Sequence, residues 1–218
     1  MDRRAQDDRR TVMKEVPLSE LARWNERFSA PGYHFGTAPN EFLERQGHLL
    51  TAGQTALSIA DGEGRNGVFL AERGLDVLAI DFSPPALAKA RALAASRGVA
   101  LRLEQADVLA WTWPVAQFDV VAAIFIQFAT AEERPRIFTG IRQALKPGGL
   151  LLMQGYRPEQ LAYGTGGPKQ IGNLYTRALL EDAFADFASL DIREHDDVIR
   201  EGDAHSGMSA LIDLVGRK

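Results

Sequence analysis

The spacing of apolar residues changes period repeatedly along the chain, and the changes mark the elements. A short apolar run (Ala56, Leu57, Ile59, Ala60) breaks into glycines at Gly62, Gly64 and Gly67. A helical pattern then begins near Arg65 and closes at Gly74. A second strand-like run, 75–80, leads into Asp81, and Ser83-Pro84-Pro85 opens the next helix, with Ser as N-cap and prolines in the first turn. Its alanine-rich body, 86–97, ends at Gly98. A third strand, 99–105, alternates apolar and polar residues and ends near Asp107, whereas 118–124 is continuously apolar, as befits a central strand buried on both faces. A helix over 131–145, the turn Lys146-Pro147-Gly148-Gly149 and a strand over 150–154 complete the series. Strands alternating with helices in this way predict βαβ units, hence a parallel sheet with helices on both faces.

The two ends read differently. Residues 1–15 mix charges with almost no apolar side chains and are expected to be disordered. Leu18, Leu21, Ala22 and Phe28 recur at helical spacing over 17–28, with Trp24 nearby. A turn-rich loop, 29–40, carries Tyr33, His34 and Phe35 and precedes a second helix at 39–50. Beyond the last parallel strand, 156–174 is loop-like, 176–187 is helical, and two strand-like runs, 190–200 and 206–216, flank Glu201-Gly202-Asp203 as a closing antiparallel hairpin. The expected organisation is a tail (1–15), an N-terminal helical cap (16–50) and one main domain (51–218) that forms a single globular unit with the cap.

Composition narrows the function classes. The chain has 218 residues, enough for one α/β domain with a full core and short for two. A net charge of −4 argues against a nucleic-acid partner. With no cysteine there is no disulfide, thiolate metal site or cysteine nucleophile, and the scattered histidines make no metal site. No apolar run approaches membrane-spanning length, and the charged N-terminus lacks the core of a signal peptide, so a cytoplasmic location is expected.

The strand, glycine turn and helix start at 55–69 suit a nucleotide-type ligand, because glycines admit a close backbone and the first helical turn presents free N–H groups. Gly62-Glu63-Gly64-Arg65-Asn66-Gly67 is literally a GxGxxG, and Asp81 at the end of the second strand can accept from ribose hydroxyls, so a nicotinamide dinucleotide and S-adenosylmethionine both compete for the site. Three features favour the latter. Asp107 follows the third strand where an adenine amine would sit, Phe118-Asp119 and the Lys146–Gly149 turn bracket the fourth and fifth strands, and the chain ends in a hairpin where a dehydrogenase would need a second domain.

These residues, from about position 51 onward, resemble the class I S-adenosylmethionine-dependent methyltransferases, and within them the small bacterial branch near the tellurite-resistance and thiopurine methyltransferases. The resemblance implies a Rossmann-like, doubly wound seven-stranded sheet, mostly parallel with a C-terminal antiparallel hairpin, under an N-terminal helical cap. It implies S-adenosyl-L-methionine as cofactor and a small-molecule acceptor. The residues expected to hold the cofactor are Tyr33, Phe35 and Gly36 from the cap, Ala60, Asp61, Gly62, Gly64, Arg65 and Asn66 from the glycine loop, Asp81, Phe82 and Ser83, then Asp107, Val108 and Ile124. Gly67 is then a small residue in a helix. The loop departs from the family pattern at Ser58, where an acid is usual, and at Ala60, where glycine is usual; Ala60 suffices for close approach if its φ is negative.

Methyl transfer from a sulfonium is an in-line displacement that depends on alignment more than on acid–base groups. Substrate-side residues are expected near 126–128, Tyr156-Arg157, Tyr163-Gly164 and His205. The candidates for a catalytic role are His205 and Gln127, the latter standing where relatives of the branch often carry a histidine. Arg157 is either an anion-attracting residue or a solvated one, and Tyr33 and Phe35 either face the sulfonium or staple the cap to the sheet. A non-catalytic S-adenosylmethionine-binding protein and an NAD(P)-dependent oxidoreductase are the alternatives to a methyltransferase.

Overall fold

The computed structural model describes residues 19–202 and 205–218, with the side chain of His205 outside that description. The expected disordered tail therefore lies outside the described residues. Seven strands form one sheet in the order β3-β2-β1-β4-β5-β7-β6. These are β1 (Thr55–Ile59), β2 (Asp76–Asp81), β3 (Arg102–Gln105), β4 (Phe118–Ile124), β5 (Leu145–Tyr156), β6 (Ser189–Glu201) and β7 (His205–Arg217). The first five pair in parallel, and β7 inserts antiparallel between β5 and β6. The expected mostly parallel sheet with a closing hairpin is what forms.

Alternation along the strands decides which side of the sheet each residue serves. Leu57 and Ile59 of β1 and Val121 and Ala123 of β4 pack against α5 (Arg134–Ala144) and α7 (Arg177–Ala183), through Ile137, Phe138, Ile141 and Leu180. Ala56, Val120 and Ala122 face the other side, where Phe69 and Leu70 of α3 (Arg65–Glu72) and Phe42 and Leu43 of α2 (Glu41–Arg45) cover them. Both faces of β1 and β4 are thus dry. The chain proceeds outward from β1 to β3 and then crosses to β4 on the other side, so the carboxyl ends of β1 and β4 flank a crevice that no connection fills.

Several boundaries differ from the periodic reading for local reasons. The helix expected over 39–50 is a five-residue α-helix followed by a 3-10 turn, Gln46–Leu49, containing Gly47. The stretch expected as loop at 156–174 contains α6 (Gln160–Tyr163) and a 3-10 turn, Ile171–Asn173. The helix α1 (Glu20–Ser29) starts behind Ser19, whose hydroxyl oxygen accepts from Ala22 N; α4 (Pro84–Ser96) starts behind Ser83. No helix among the described residues is long and apolar enough to cross a membrane.

Between β3 and β4 the chain has no helix, and the segment is pinned instead by Trp113. Its indole N–H donates to the Val108 carbonyl at 3.2 Å, and its ring lies where a Cβ on Gly140 of α5 would stand. Gly140→Ala is expected to destabilise the protein by about 1–3 kcal/mol, because the ring cannot yield without displacing 106–109. Chemical denaturation with the slope checked for two-state behaviour measures this.

Candidate cofactor and acceptor site

A cavity of about 280 Å³ opens over the carboxyl ends of β1, β2 and β4. Its floor is the turn after β1. Ala60 sits at φ +47, Gly62 at +62 and Gly64 at +94, so the chain leaves β1 in a left-handed conformation before α3 begins. The condition on Ala60, a negative φ, is not met: the backbone takes the conformation that glycine would adopt without strain, and alanine pays a steric penalty of about 1–2 kcal/mol.

The acid of this loop is Asp61. Its Oδ1 accepts from the Ser58 hydroxyl at 2.6 Å and from the Gly67 amide at 3.0 Å, in the first turn of α3. A Cβ on Gly67 would lie 2.6 Å from Asp61 Oδ2, so Gly67 is more than a small helical residue; it makes the room for this carboxylate. Burial raises the Asp61 carboxyl above its ordinary range, against the lowering effects of Ser58, Gly67 and Arg65. Gly64 serves packing, because a Cβ there would meet the Ala90 backbone of α4 at 2.7 Å.

Asp81 ties the loop to the second strand. Its Oδ2 accepts from Gly62 N and its Oδ1 from Ser83 N, both at 2.9 Å. Burial pushes its carboxyl up to about 6, which the two amides only partly offset. Asp107 accepts from Leu109 N at 2.9 Å, while Ala106 and Val108 beside it are buried apolar walls.

The roof comes from the N-terminal residues. Glu20, Trp24 and Phe28 lie one helical turn apart on one face of α1, and all three line the cavity with Phe35. Trp24 stacks on Phe28 with centroids 5.3 Å apart, and Phe35 sits 6.3 Å from each. Glu63, 3% exposed, clasps the loop that carries Phe35: its carboxylate accepts from His34 N at 2.6 Å and from Lys89 Nζ at 2.7 Å. A second buried carboxylate, Glu201 at the end of β6, takes Arg65 at 2.7 Å on one oxygen and Asn40 Nδ2 and Glu41 N on the other. Asn40 N in turn donates to Asn66 Oδ1 at 2.9 Å.

Of the residues expected to hold the cofactor, the cavity wall gathers Phe35, Ala60, Asp61, Gly62, Arg65 and Asn66, and across the crevice Asp81, Phe82, Asp107, Val108 and Ile124. Tyr33, Gly36, Gly64 and Ser83 lie behind it. The Tyr33 hydroxyl donates to the Lys89 carbonyl, Gly36 abuts Gly202, and the Ser83 hydroxyl donates to Asn25. Gln127 is withdrawn from the cavity as well. Its amide donates to the Tyr156 and Asn173 carbonyls and accepts from Tyr156 N, so both ends serve the backbone. Arg157 pairs with Asp196 and Glu159, and Tyr163 donates to Asp196. Of the residues expected on the substrate side, Phe128 lines the cavity. Glu20, Phe28, Phe125 and Glu133 line it too and were not expected there; the i, i+4, i+8 spacing of Glu20, Trp24 and Phe28 is a local signal for the first two, and Phe125 and Glu133 carry no such periodic mark.

Residues 56–149 match the family model described as "Methyltransferase domain". A demethylmenaquinone methyltransferase from Thermus thermophilus is 35% identical over 112 residues, covering half of each chain, so this chain spans about half the length of that relative. Among solved structures, a S-adenosylmethionine-dependent methyltransferase from Methanosarcina mazei superposes with a TM-score of 0.65 at 17% identity, over 83% of this chain and 98% of that one. TehB from Haemophilus influenzae does so at 0.62 and 13% identity, over 89% of this chain and 65% of its own. At such identities these structures share the fold.

Two outcomes follow from the loop. Ala60→Gly relieves the left-handed strain and, after the added freedom of the unfolded chain, should stabilise the protein by about 0.5–1 kcal/mol, read from the denaturation midpoint. The Asp81 carboxyl rises on folding, so it favours the native state below its unfolded pKa of about 4 and loses that contribution as pH climbs through about 6. The stability difference between Asp81→Asn and wild type should therefore move toward the variant by up to about 3 kcal/mol between pH 4 and 7 in ligand-free protein. A difference that stays flat with pH would show that Asp81 does not titrate in that window.

Proposed function

We propose that this chain is a class I S-adenosylmethionine-dependent methyltransferase, a reading supported by the match of residues 56–149 to a methyltransferase domain, and that it transfers a methyl group to a small-molecule acceptor held between the glycine loop and the N-terminal roof. The observation that carries the reading is the Asp81 carboxylate, buried at the crevice, anchored by the Gly62 and Ser83 amides and kept short of full solvation. Such a group gains from any hydroxyl donor brought to it, and a ribose diol supplies two.

The rest of the wall suits the other parts of the cofactor. Asp107 can accept from an adenine amine between Ala106 and Val108. Arg65, held by Glu201, and the first-turn amides of α3 suit a carboxylate. When bound, the cofactor supplies an electrophilic methyl on a sulfonium. The protein's share is to align the acceptor and keep water out, and orientation of this kind contributes up to about 7–11 kcal/mol. Trp24, Phe28 and Phe35 shield the cavity, and ring faces attract a cation by about 0.5–2 kcal/mol.

Calorimetric titration with S-adenosylmethionine and with its demethylated product tests the reading. Both should bind, and Asp81→Asn should weaken them by about 10-fold or more through lost charge-assisted bonds to the ribose. Binding of NADH with no binding of either would sink it. Release of demethylated cofactor with any acceptor separates an enzyme from a protein that only binds the cofactor.

A further inference from the structure

We propose that Gly202 and Glu63 are positioning residues that set the height of the roof, acting on the cofactor through the Phe35 ring. The inference rests on the methyltransferase reading and deepens it. Phe35 reaches the cavity from the loop between α1 and α2, so its place is fixed by what holds the His34–Phe35 backbone. Two elements far apart in sequence hold it.

From the glycine loop comes Glu63. Its Oε2 accepts from His34 N at 2.6 Å and from Phe35 N at 3.4 Å, while its Oε1 accepts from Lys89 Nζ at 2.7 Å. Lys89 Nζ also donates to the Ala30 carbonyl at 2.7 Å, so the start of the loop is tied to α4 as well. The carboxylate is buried, and hydrogen bonds to a charged group in such a place are among the stronger ones. Glu63 therefore draws the two amides toward the turn that forms the cavity floor.

From the hairpin comes Gly202. It follows Glu201, whose carboxylate is fixed by Arg65 on the floor and Asn40 ahead of α2. The φ of Gly202 is +65, in the left-handed region. A Cβ there would stand 2.5 Å from the His34 carbonyl oxygen and 2.7 Å from Phe35 Cα. Both are backbone atoms, which cannot swing aside as the end of a flexible side chain can. Gly36 faces the same contact, and a Cβ on it would meet Gly202 N at 3.6 Å. The His34–Phe35 peptide is thus gripped between a charge that draws it in and a backbone that stops it. The grip sets the Phe35 ring 6.3 Å from Trp24 and from Phe28, as the third ring of the roof. A side chain at 202 would push the loop by about 1 Å, because carbon atoms rest about 3.5–4.0 Å apart. A gap of that size forfeits about a quarter to a half of the attraction between the ring and what it covers.

Calorimetric titration with the demethylated cofactor tests this on Gly202→Ala, Glu63→Gln, Phe35→Leu, and each of the first two combined with the third. Each single variant should weaken binding by about threefold to tenfold. In the Phe35→Leu background, Gly202→Ala and Glu63→Gln should each add less than about twofold, because the ring they place is gone. Gly148→Ala controls for strain alone. Gly148 has φ +75, lies at the end of β5 away from the cavity, and has nothing within 4 Å of a Cβ, so this variant should bind as the unaltered protein does. Unchanged affinity in any of the three single variants, an equal loss in both backgrounds, or an equal loss in Gly148→Ala overturns the proposal while leaving the methyltransferase reading intact. If Gly202→Ala does not fold, the Glu63→Gln cycle decides by the same outcomes. Failure of the unaltered protein to bind the demethylated cofactor overturns the methyltransferase reading, and this assignment with it.

Discussion

One buried carboxylate joins the three parts of the chain that share the cavity. Glu201, at the far end of β6, holds Arg65 of the glycine loop with one oxygen and the start of α2, through Asn40 and Glu41, with the other. Its neighbours extend the network: Asn40 Nδ2 also donates to Gln154 of β5, Gln154 donates to Asp213 of β7, and Asp213 meets His195 of β6 at 3.0 Å. A charge buried in this way is tolerable only with its partners in place; losing one of a pair typically costs about 3–5 kcal/mol. The roof, the loop and the hairpin are thus held in one arrangement by polar groups that have no other solvent, and the cavity between them inherits its shape from that requirement.

What the amino-acid pattern reveals and what it hides follow the same division. The parallel strands and their helices are legible because each is a local signal: Ala56–Leu57–Ile59, Ser83-Pro84-Pro85 and Phe118–Ile124 each announce themselves within a few residues. The glycine loop, Asp81 and Asp107 are legible because their order along the chain matches their order across the sheet. Gln127 is misleading from sequence, since its position beside the cavity is right and its side chain turns to the Tyr156 and Asn173 backbone. Tyr33 is similar, sitting two positions from Phe35 of the roof and packing against Val68, Leu93 and Ala94. Glu201 was invisible: its partner Arg65 lies 136 positions away, and nothing near either residue records the other.

The electrostatics of the site are those of a trap for positive charge. Burial favours the neutral forms of Asp81 and Asp61 while amides and a hydroxyl favour the charged ones, the roof offers π faces, and Arg65, the one guanidinium among the described lining residues, is already compensated.

The triad of Ser58, Asp61 and Gly67 has a consequence for how the loop can change over time. Asp61 needs the Ser58 hydroxyl and the Gly67 amide, and its carboxylate fills the space that a side chain at 67 would take. An acid at 58 would set two carboxylates against each other three residues apart, and a side chain at 67 would require the Asp61 carboxylate to shift from its two donors. The three positions are therefore physically coupled, and substitutions among them act as a combination.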